Sequence, residues 1–193
     1  MSALKEIVFL KRHLKLKRKE RINLSRLIRH RYAEKLAEIA SDGSWQEVGL
    51  DAECRSWIKD WIWEAQALSK TNDPRKDYLA YVCVLKESME VIGLVGCSYY
   101  QDLKEVGITY CVGSAYRNKG YAQEAAKAYA EYVFAQYEVP KLIATIKEDN
   151  ISSWKVAQKA GFELETIKWY QDINDEKEEL YRFYVLKGTA EDE

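Results

Sequence analysis

The stretch Arg117-Asn118-Lys119-Gly120-Tyr121-Ala122 follows a run of strand-forming residues and opens a run with helical spacing. A glycine at such a turn lets the backbone approach a ligand closely, and the first turn of a helix presents unpaired N–H groups at the positive end of its dipole. Arg117 and Lys119 add positive charge at the edge of the turn. These features predict an anion site suited to a pyrophosphate, although a turn of this composition also occurs as a purely structural element.

A second stretch lies downstream, after a predicted strand at 141–146, and reads Asn150-Ile151-Ser152-Ser153-Trp154-Lys155-Val156-Ala157-Gln158-Lys159-Ala160-Gly161-Phe162. Its spacing predicts a short helix that Gly161 ends. Taken alone, Asn150 is also consistent with a helix cap, and Ser153 with a solvated helical serine. The two stretches carry more information together than either does alone, because they follow each other in a defined order.

The two stretches resemble the GNAT superfamily of N-acetyltransferases, which use acetyl-CoA. The phosphate-binding pattern of that family is Gln or Arg, two residues, Gly, any residue, then Gly or Ala. Arg117, Gly120 and Ala122 match this pattern. The resemblance therefore implies an acetyl-CoA-dependent N-acetyltransferase that transfers acetyl directly to a primary amine.

The later segment narrows the resemblance within the superfamily. The family shows an Asn, a short helix and then a Gly-Phe pair near the next strand, which Asn150 and Gly161-Phe162 match. Because Ser153 follows this Asn by three residues, the sequence looks most like the ribosomal-protein N-terminal (alanine/serine) acetyltransferases. The resemblance extends over residues 20–187 and is most specific over residues 105–162.

The resemblance also implies a fold and a set of cofactor contacts. The fold is the α/β GNAT (acyl-CoA N-acyltransferase) fold, with a mixed, mostly antiparallel sheet of six to seven strands flanked by helices. This sheet is splayed between the strands at about 106–112 and 141–147, and the pantetheine arm lies in the gap and pairs with strand backbone. The residues that the resemblance assigns to the cofactor are Tyr110, Cys111, Val112, Arg117, Asn118, Lys119, Gly120, Tyr121, Ala122, Asn150 and Ser153.

The general acid departs from the pattern of many family members. In the implied mechanism the amine attacks the thioester without an acyl-enzyme intermediate, and the leaving thiolate needs a proton or a hydrogen bond. Many members place a Tyr seven residues after the Asn for this purpose, whereas this sequence has Ala157 there. Ser153 is the substitute that the resemblance to the ribosomal-type members suggests.

The general base is less well defined by the sequence. Related sequences often carry a Glu just before the strand that leads to the phosphate turn, and Glu105 lies close to that place. If the sequence is instead aligned with the family at Tyr116-Arg117, Gly107 occupies the position where the family usually has this Glu. Glu148 and Asp149 are alternatives, and a base that reaches the amine through water is equally compatible. We take Glu105 as the sequence-based candidate.

The length of the chain favours one domain. The resemblance implies that this domain covers residues 20–187, with an extension at 1–19 before it and an acidic tail at 188–193 after it. The order of strands and helices favours a mixed, largely antiparallel α/β sheet. The predicted elements are a strand at 22–27, helices at 31–41 and 51–69, strands at 78–85, 91–99 and 105–112, a helix at 121–136, a strand at 141–146, a helix at 151–160, and strands at 162–171 and 180–186.

Composition excludes several classes of protein. The chain has 193 residues, 30 Lys plus Arg, 31 Asp plus Glu and a net charge of −1. It is too apolar for disorder, too charged for a membrane span and not uniformly basic like many nucleic-acid binders.

The four cysteines show no C-x-x-C pair and the chain has only two histidines, so no metal site is predicted. Cys83, Cys97 and Cys111 are expected as buried thiols on three consecutive strands, and the cytoplasm is the expected compartment.

The sequence does not identify the acceptor amine or the binding partners. Residues 11–31 hold ten Lys or Arg and a single acid, a net charge of +9 that suits either docking on ribosomal RNA or a solvated edge. The acceptor amine is a protein N-terminus, a polyamine, an antibiotic or another small amine. The alternative to an enzyme is a non-catalytic acyl-CoA-binding or RNA-docking module. The helix at 51–69, whose Trp57, Trp61 and Trp63 are expected in the core or a cleft, lines either a homodimer interface or the acceptor cleft.

Overall fold

One sheet carries the eight strands found in the described part of the chain. The computed structural model describes residues 13–14, 21–26, 32–51, 53–68, 73–76 and 78–188. The strands are β1 (His13–Leu14), β2 (Ile22–Arg26), β3 (Leu79–Leu85), β4 (Val91–Tyr100), β5 (Glu105–Val112), β6 (Lys141–Lys147), β7 (Glu163–Tyr170) and β8 (Glu179–Lys187). The α-helices are α1 (Ala33–Ala40), α2 (Ile58–Leu68), α3 (Tyr121–Gln136) and α4 (Ile151–Lys159), with single 3₁₀ turns at Gln46–Val48, Cys54–Ser56 and Ser114–Tyr116.

The sheet order is β1-β2-β3-β4-β5-β6-β8-β7, and every neighbouring pair is antiparallel except β5 and β6. These two strands run parallel and pair at a single register position, where Gly107 faces Ile143. By contrast, β5 pairs with β4 along its whole length. The strands therefore separate beyond Gly107 toward their carboxyl ends, which confirms the predicted splay.

Helices cover both faces of the sheet and build two separate cores. On one face α3 buries Ala125, Tyr129 and Val133 against Ile108 of β5 and Leu142 of β6. This helical spacing of small and aromatic residues is the one that the sequence predicts for residues 121–136.

The second core lies on the opposite face. There α1 and α2 bury Leu36 and Ile62 against Val82 of β3 and Leu94 of β4. The strand residues of this cluster come from β3, β4, β5 and the segment just before β3. Over β6 and β8 the same face carries the buried Ile143, Phe183 and Val185 beside the half-buried Thr145, and this half of the face borders the site described below.

The sheet has one strand more than the six to seven expected. The additional strand, β1, is two residues long and pairs with β2 through His13 opposite Ser25 and Leu14 opposite Leu24. It lies in the segment 1–19, which the sequence predicts to be an extension. The other residues of that segment, and those of the predicted tail after Gly188, lie outside the described residues.

Cysteine and tryptophan positions test two further expectations. Cys83, Cys97 and Cys111 lie on β3, β4 and β5 as predicted, and burial raises the pKa of Cys97 and of Cys111 to about 12. Trp61 stacks on Tyr78, with ring centroids 6.2 Å apart. Trp63 is 70% exposed, so the expectation that it packs in the core or a cleft is wrong for this residue.

None of the described helices combines the length and the apolar character that a bilayer crossing requires.

Gly96 allows β3 and β4 to pair closely, and its replacement gives a test of this register. Gly96 faces Ala80, and a Cβ at Gly96 would lie 2.4 Å from the carbonyl oxygen of Leu79. Gly96→Ala should lower the free energy of unfolding by about 1–3 kcal/mol, because backbone atoms cannot move away without breaking the ladder. Urea denaturation measures the change. Ser98→Ala on the same strand is the control, with an expected change within about 0.5 kcal/mol, and equal effects of both would contradict the steric account.

Candidate active site where two strands separate

The candidate site lies at the open end of the sheet, where β5 and β6 separate. Because the two strands are parallel, their carboxyl ends lie at the same edge of the sheet. The chain leaves β5 through the turn at 113–120 and enters α3, and it leaves β6 through residues 148–150 and enters α4. Both helices therefore present their N-termini beside the gap, where their unpaired N–H groups favour an anion or a polarised carbonyl.

The turn before α3 has the backbone conformation expected of an anion site. Gly120 is left-handed with φ +81°, and Asn118 is left-handed with φ +60°. The bond from Glu124 N to Gly120 O, 3.0 Å long, is the first of the helix, so the N–H groups of residues 121–123 have no acceptor within it. No side chain caps this end of the helix. The turn thus offers free N–H donors on an exposed loop, as the sequence predicts.

Backbone carbonyls anchor the two basic residues of the turn. Arg117 Nη2 donates to Ser44 O at 3.1 Å, and Lys119 Nζ donates to Ala115 O at 3.0 Å. Both side chains are exposed at the rim of the turn rather than buried in ion pairs. Their positive charge is therefore available to an anion bound at the N-terminus of α3.

Asp42 joins the loop after α1 to this turn. Its carboxylate accepts a bond from Ser44 N at 2.9 Å. Hydrogen bonds from Ser44 and Ser114, with the nearby charge of Arg117, lower the pKa of Asp42 to about 2. The carboxylate is thus ionised at all ordinary pH values and supports the loop that holds Arg117.

Tyr110 and Ser153, two of the predicted cofactor residues, are in contact across the gap. The Tyr110 hydroxyl donates to Ser153 O at 2.8 Å, and Ser153 Oγ lies 3.4 Å from the same hydroxyl. Burial raises the pKa of Tyr110 well above its ordinary value, so the phenol stays protonated. Tyr110 packs on the α3 side of the sheet. The structure therefore ties β5 to the first turn of α4 through these two side chains.

Asn150 acts as the N-cap of α4. Its Oδ1 accepts bonds from Ser153 N and from Ser152 Oγ, each 3.1 Å long. The helix-cap interpretation of the sequence is therefore correct for the oxygen of this side chain. A further contact from Asn150 to a pantetheine arm stays a prediction. What the geometry shows is that Asn150 fixes the backbone of Ser153.

Glu105 lies at the far end of β5 from the gap. Its carboxylate forms an ion pair with Lys141, with Nζ and Oε1 2.8 Å apart. Both residues are the first of their parallel strands, whereas Tyr110 and Ser153 meet at the opposite end. Five residues of strand place Glu105 about 17 Å from Tyr110. The structure does not bring the sequence-based candidate for the base together with Ser153.

The two alternatives for the base also have definite environments. Glu148 is held by a bidentate pair with Arg182, with Nε–Oε2 and Nη2–Oε1 distances of 2.6 and 2.7 Å. Such a bidentate pair occupies both oxygens of the carboxylate. Asp149 is exposed to solvent. Neither arrangement resembles that of a carboxylate poised to accept a proton inside a cleft.

The ring of Tyr100 fills the space beside Gly107, the position at which alignment with the family places the general base. A Cβ on Gly107 would lie 2.1 Å from the ring of Tyr100, so this ring covers Gly107. The Tyr100 hydroxyl lies 3.5 Å from Thr145 Oγ1 on β6. Alternation along β5 places Gly107 on the same face as Cys111, which packs against the α1/α2 core. Tyr100 therefore spans the start of the gap on the face opposite to Tyr110.

Asp172, in the turn between β7 and β8, is a carboxylate whose charge acts on Tyr100. It hydrogen-bonds the side chain of Thr145 and accepts a bond from Ile173 N at 2.7 Å. Burial raises the pKa of Asp172, and the charges of Asp175 and Asp102 act in the same direction. The sequence shows an acidic turn at 172–179 but gives no sign that one of its acids folds back onto β6.

The loop after α1 approaches the turn between β7 and β8. A Cβ on Gly49, in the loop after α1, would lie 3.8 Å from both Oδ1 and Nδ2 of Asn174 in the β7–β8 turn. This approach links the loop that follows α1 to the turn that carries Asp172.

Among the residues described, no group of three or more His, Cys, Asp or Glu is arranged to hold a metal ion.

Comparison with known proteins agrees with this architecture. The family described as the acetyltransferase (GNAT) domain matches residues 21–163. The chain belongs to this family. The match includes the turn at 117–122, Ser153, and strands β5 and β6 on either side of the gap.

The GNAT relatives are distant in sequence and close in fold. The uncharacterized N-acetyltransferase YnaD of Bacillus subtilis is 46% identical over 50 residues, which are 26% of this chain and 29% of YnaD. A GNAT-family acetyltransferase of Bacillus anthracis superposes with a TM-score of 0.73 at 17% identity, covering 92% of this chain and 99% of that one. RimL, a ribosomal L7/L12 α-N-protein acetyltransferase solved with coenzyme A, gives 0.72 at 12% identity, covering 91% and 97%.

These comparisons establish the fold and the family. At identities below 20% the two structural likenesses show the fold alone. The chain spans less than two thirds of the length of the curated relatives that it matches.

The pH dependence of stability tests the role of Asp42. Its folded pKa of about 2 lies below the ordinary 3.8, so its contribution is fully present above pH 3.8 and is lost as the pH falls through 2. Asp42→Asn should therefore lower the unfolding temperature near neutral pH, and the difference from wild type should shrink as the pH approaches 2. Circular dichroism melting curves measure this. A difference that is the same at both pH values would contradict the ionic role.

Proposed function

We propose that this protein transfers an acetyl group from acetyl-CoA directly to a primary amine. The observation that carries the proposal is the separation of β5 and β6 beyond the single pair Gly107–Ile143. The separation leaves strand backbone of β5 unpaired on the side of β6, where an extended pantetheine arm fits as an additional strand. The phosphate turn lies at the mouth of this gap, and two sets of proton-carrying side chains flank it.

In this proposal the diphosphate of acetyl-CoA binds the N–H groups of the turn, with Arg117 and Lys119 at its rim. The pantetheine arm runs along the backbone of Tyr110, Cys111 and Val112. Exposure of the turn and its unused N–H donors support this orientation. The complete set of proposed cofactor residues is the one expected from the sequence: Tyr110, Cys111, Val112, Arg117, Asn118, Lys119, Gly120, Tyr121, Ala122, Asn150 and Ser153.

Ser153 is proposed to stabilise the leaving thiolate. When the amine nitrogen attacks the thioester carbonyl, the C–S bond breaks and negative charge develops on sulfur. The Ser153 hydroxyl donates a hydrogen bond to that sulfur, and the thiolate takes up its proton from solvent. Tyr110 donates to Ser153 O at 2.8 Å and so holds the first turn of α4 in place. Position 157, where many family members place a phenol, is a fully buried Ala here.

Asp172 replaces Glu105 as the proposed proton acceptor. Glu105 is held by Lys141 at the wrong end of β5, whereas Asp172 contacts Thr145 next to the start of the gap. Because burial raises the pKa of Asp172, its ionised form is a stronger base than an exposed carboxylate. It takes the proton that the attacking amine loses. Tyr100 lies beside it and covers Gly107.

The acceptor is proposed to be a cation, such as the N-terminus of a peptide. Asp172 lies near Asp102 and Asp175, and Asp175 forms an ion pair with Lys147 at 2.8 Å, so acidic side chains cluster at the β7–β8 turn. The name of RimL, an α-N-protein acetyltransferase, fits a peptide acceptor and makes ribosomal proteins the first class to test.

Other parts of the proposal concern location and partners. Four free cysteines, of which Cys54, Cys83 and Cys97 are buried, suit a reducing cytoplasm. Docking on ribosomal RNA through residues 11–31 stays a prediction, because most of that segment lies outside the described residues. A homodimer through α2 is likewise a proposal, and it has support from the exposure of Trp63.

Release of free thiol from acetyl-CoA tests the proposed reaction. We expect turnover with peptides that begin with Ser or Ala, and slower turnover with a polyamine or an aminoglycoside, because the structurally similar RimL is an α-N-protein acetyltransferase. Calorimetric titration with CoA should show binding in parallel. Binding of CoA without turnover on any amine would favour the non-catalytic module. Absence of CoA binding would overturn the proposal as a whole.

Asp172→Asn and Glu105→Gln form a matched pair for the base. Asp172→Asn should lower kcat by about 10²–10⁴-fold and remove the acidic limb of the pH profile of kcat/KM for the amine. It should not lower the unfolding temperature, since a carboxyl with a raised folded pKa destabilises the fold when ionised at neutral pH. Glu105→Gln should leave turnover and pH profile unchanged. The reverse pattern would restore Glu105 as the base.

A further inference from the structure

Arg21, the residue just before β2, lies against the phosphate turn. Its Nη2 donates to Lys119 O at 2.7 Å, and its guanidinium carbon lies 4.6 Å from the centroid of the Tyr121 ring. A Cβ built on Gly120 would lie 3.3 Å from the same Nη2. One side chain from the N-terminal strand therefore contacts three consecutive residues of the turn, although it is 98 positions away from Lys119 in the chain.

Glu124, in the first turn of α3, holds Arg21 in this place. Glu124 Oε2 pairs with Arg21 Nε at 3.2 Å, while Oε1 accepts bonds from Arg21 N at 2.5 Å and from Ile22 N at 2.9 Å. The Glu124 side chain is only 15% exposed, whereas that of Arg21 is 54% exposed. Three bonds from one carboxylate thus fix the start of β2 to the start of α3, and the guanidinium that extends from this anchor has little freedom to leave the turn.

The turn needs such support because of its backbone conformation. Asn118 and Gly120 both adopt left-handed φ values, which most L-residues avoid and which Asn, after glycine, tolerates best. Rotation of the peptide between Lys119 and Gly120 would turn a carbonyl oxygen toward a bound anion in place of an N–H group. The bond from Arg21 to Lys119 O keeps that carbonyl on the side of Arg21.

We propose that Arg21 is a positioning residue for the cofactor site, which holds the Lys119 carbonyl so that the N–H groups of the turn stay directed to the diphosphate of acetyl-CoA. This inference rests on the proposed function, because it assumes that acetyl-CoA is the anion bound there. It assigns to one residue of the basic segment 11–31 a role in cofactor binding that is separate from any docking on RNA. Arg21 acts through the turn and does not touch the reacting atoms.

Two acetyl donors distinguish this role from a general effect on stability. Acetyl-CoA carries the diphosphate, whereas S-acetyl-pantetheine has the same thioester and arm without it. Arg21→Ala should raise KM for acetyl-CoA by about tenfold at unchanged kcat, since a charged hydrogen bond is lost from the turn. Its kcat/KM for S-acetyl-pantetheine should equal that of wild type, because this donor does not use the turn.

Arg55→Ala is the matched control. Arg55 forms an exposed ion pair with Glu34, with an Nη1–Oε2 distance of 2.6 Å, and neither residue contacts the turn, so its loss should change neither donor's kinetics. Arg21→Lys keeps the charge and one donor, so it should recover part of the affinity for acetyl-CoA. It also carries the test if Arg21→Ala fails to fold.

The outcomes separate the inference from the proposed function. An equal loss with both donors, or no loss with either, would overturn the positioning role of Arg21. A wild-type protein that binds no CoA in calorimetric titration would instead overturn the proposed function. Wild-type binding of CoA together with a selective KM effect of Arg21→Ala on acetyl-CoA supports both.

Discussion

β5 and β6 run parallel, pair where Gly107 faces Ile143, and then separate. The rest of the site depends on this separation, because it leaves a gap in the middle of an otherwise continuous sheet. The sheet stays connected since side chains cross the gap on both faces. Tyr110 reaches Ser153 on the side of α3 and α4, and Tyr100 reaches Thr145 on the other. The same two crossings bring tyrosine hydroxyls to the opposite faces of the gap.

Opposite charges surround the two ends of this gap, although the net charge of the chain is close to zero. The turn before α3 combines N–H donors with exposed basic side chains, which suits an anionic cofactor. The β7–β8 turn brings acids to the acceptor face, which suits an ammonium group. Two aspartates show how environment sets their chemistry. Hydrogen bonds keep the pKa of Asp42 low, whereas burial raises that of Asp172, so one supports a loop and the other is available as a base.

The phosphate turn is exposed, yet two distant parts of the chain fix it. Ser44, after α1, accepts a bond from Arg117, and Arg21, before β2, donates one to Lys119 O. A turn with two left-handed residues would otherwise populate other conformations, because only glycine adopts them without steric cost. The conformation of the turn is thereby coupled to the packing of the N-terminal half of the domain, which the sequence pattern of the turn does not reveal.

The sequence by itself determined the order of the elements from β2 onward and the turn before α3, because apolar periodicity and a glycine before a helix are local patterns. The splay of the sheet was implied by the resemblance to the family, and the structure confirms it. Only the tertiary structure decided which acid faces the gap. It placed Glu105 in an ion pair with Lys141 and brought Asp172 back onto Thr145. Such pairings join residues far apart in the chain, and a carboxylate's role depends on its burial and its neighbours, which only the folded chain creates.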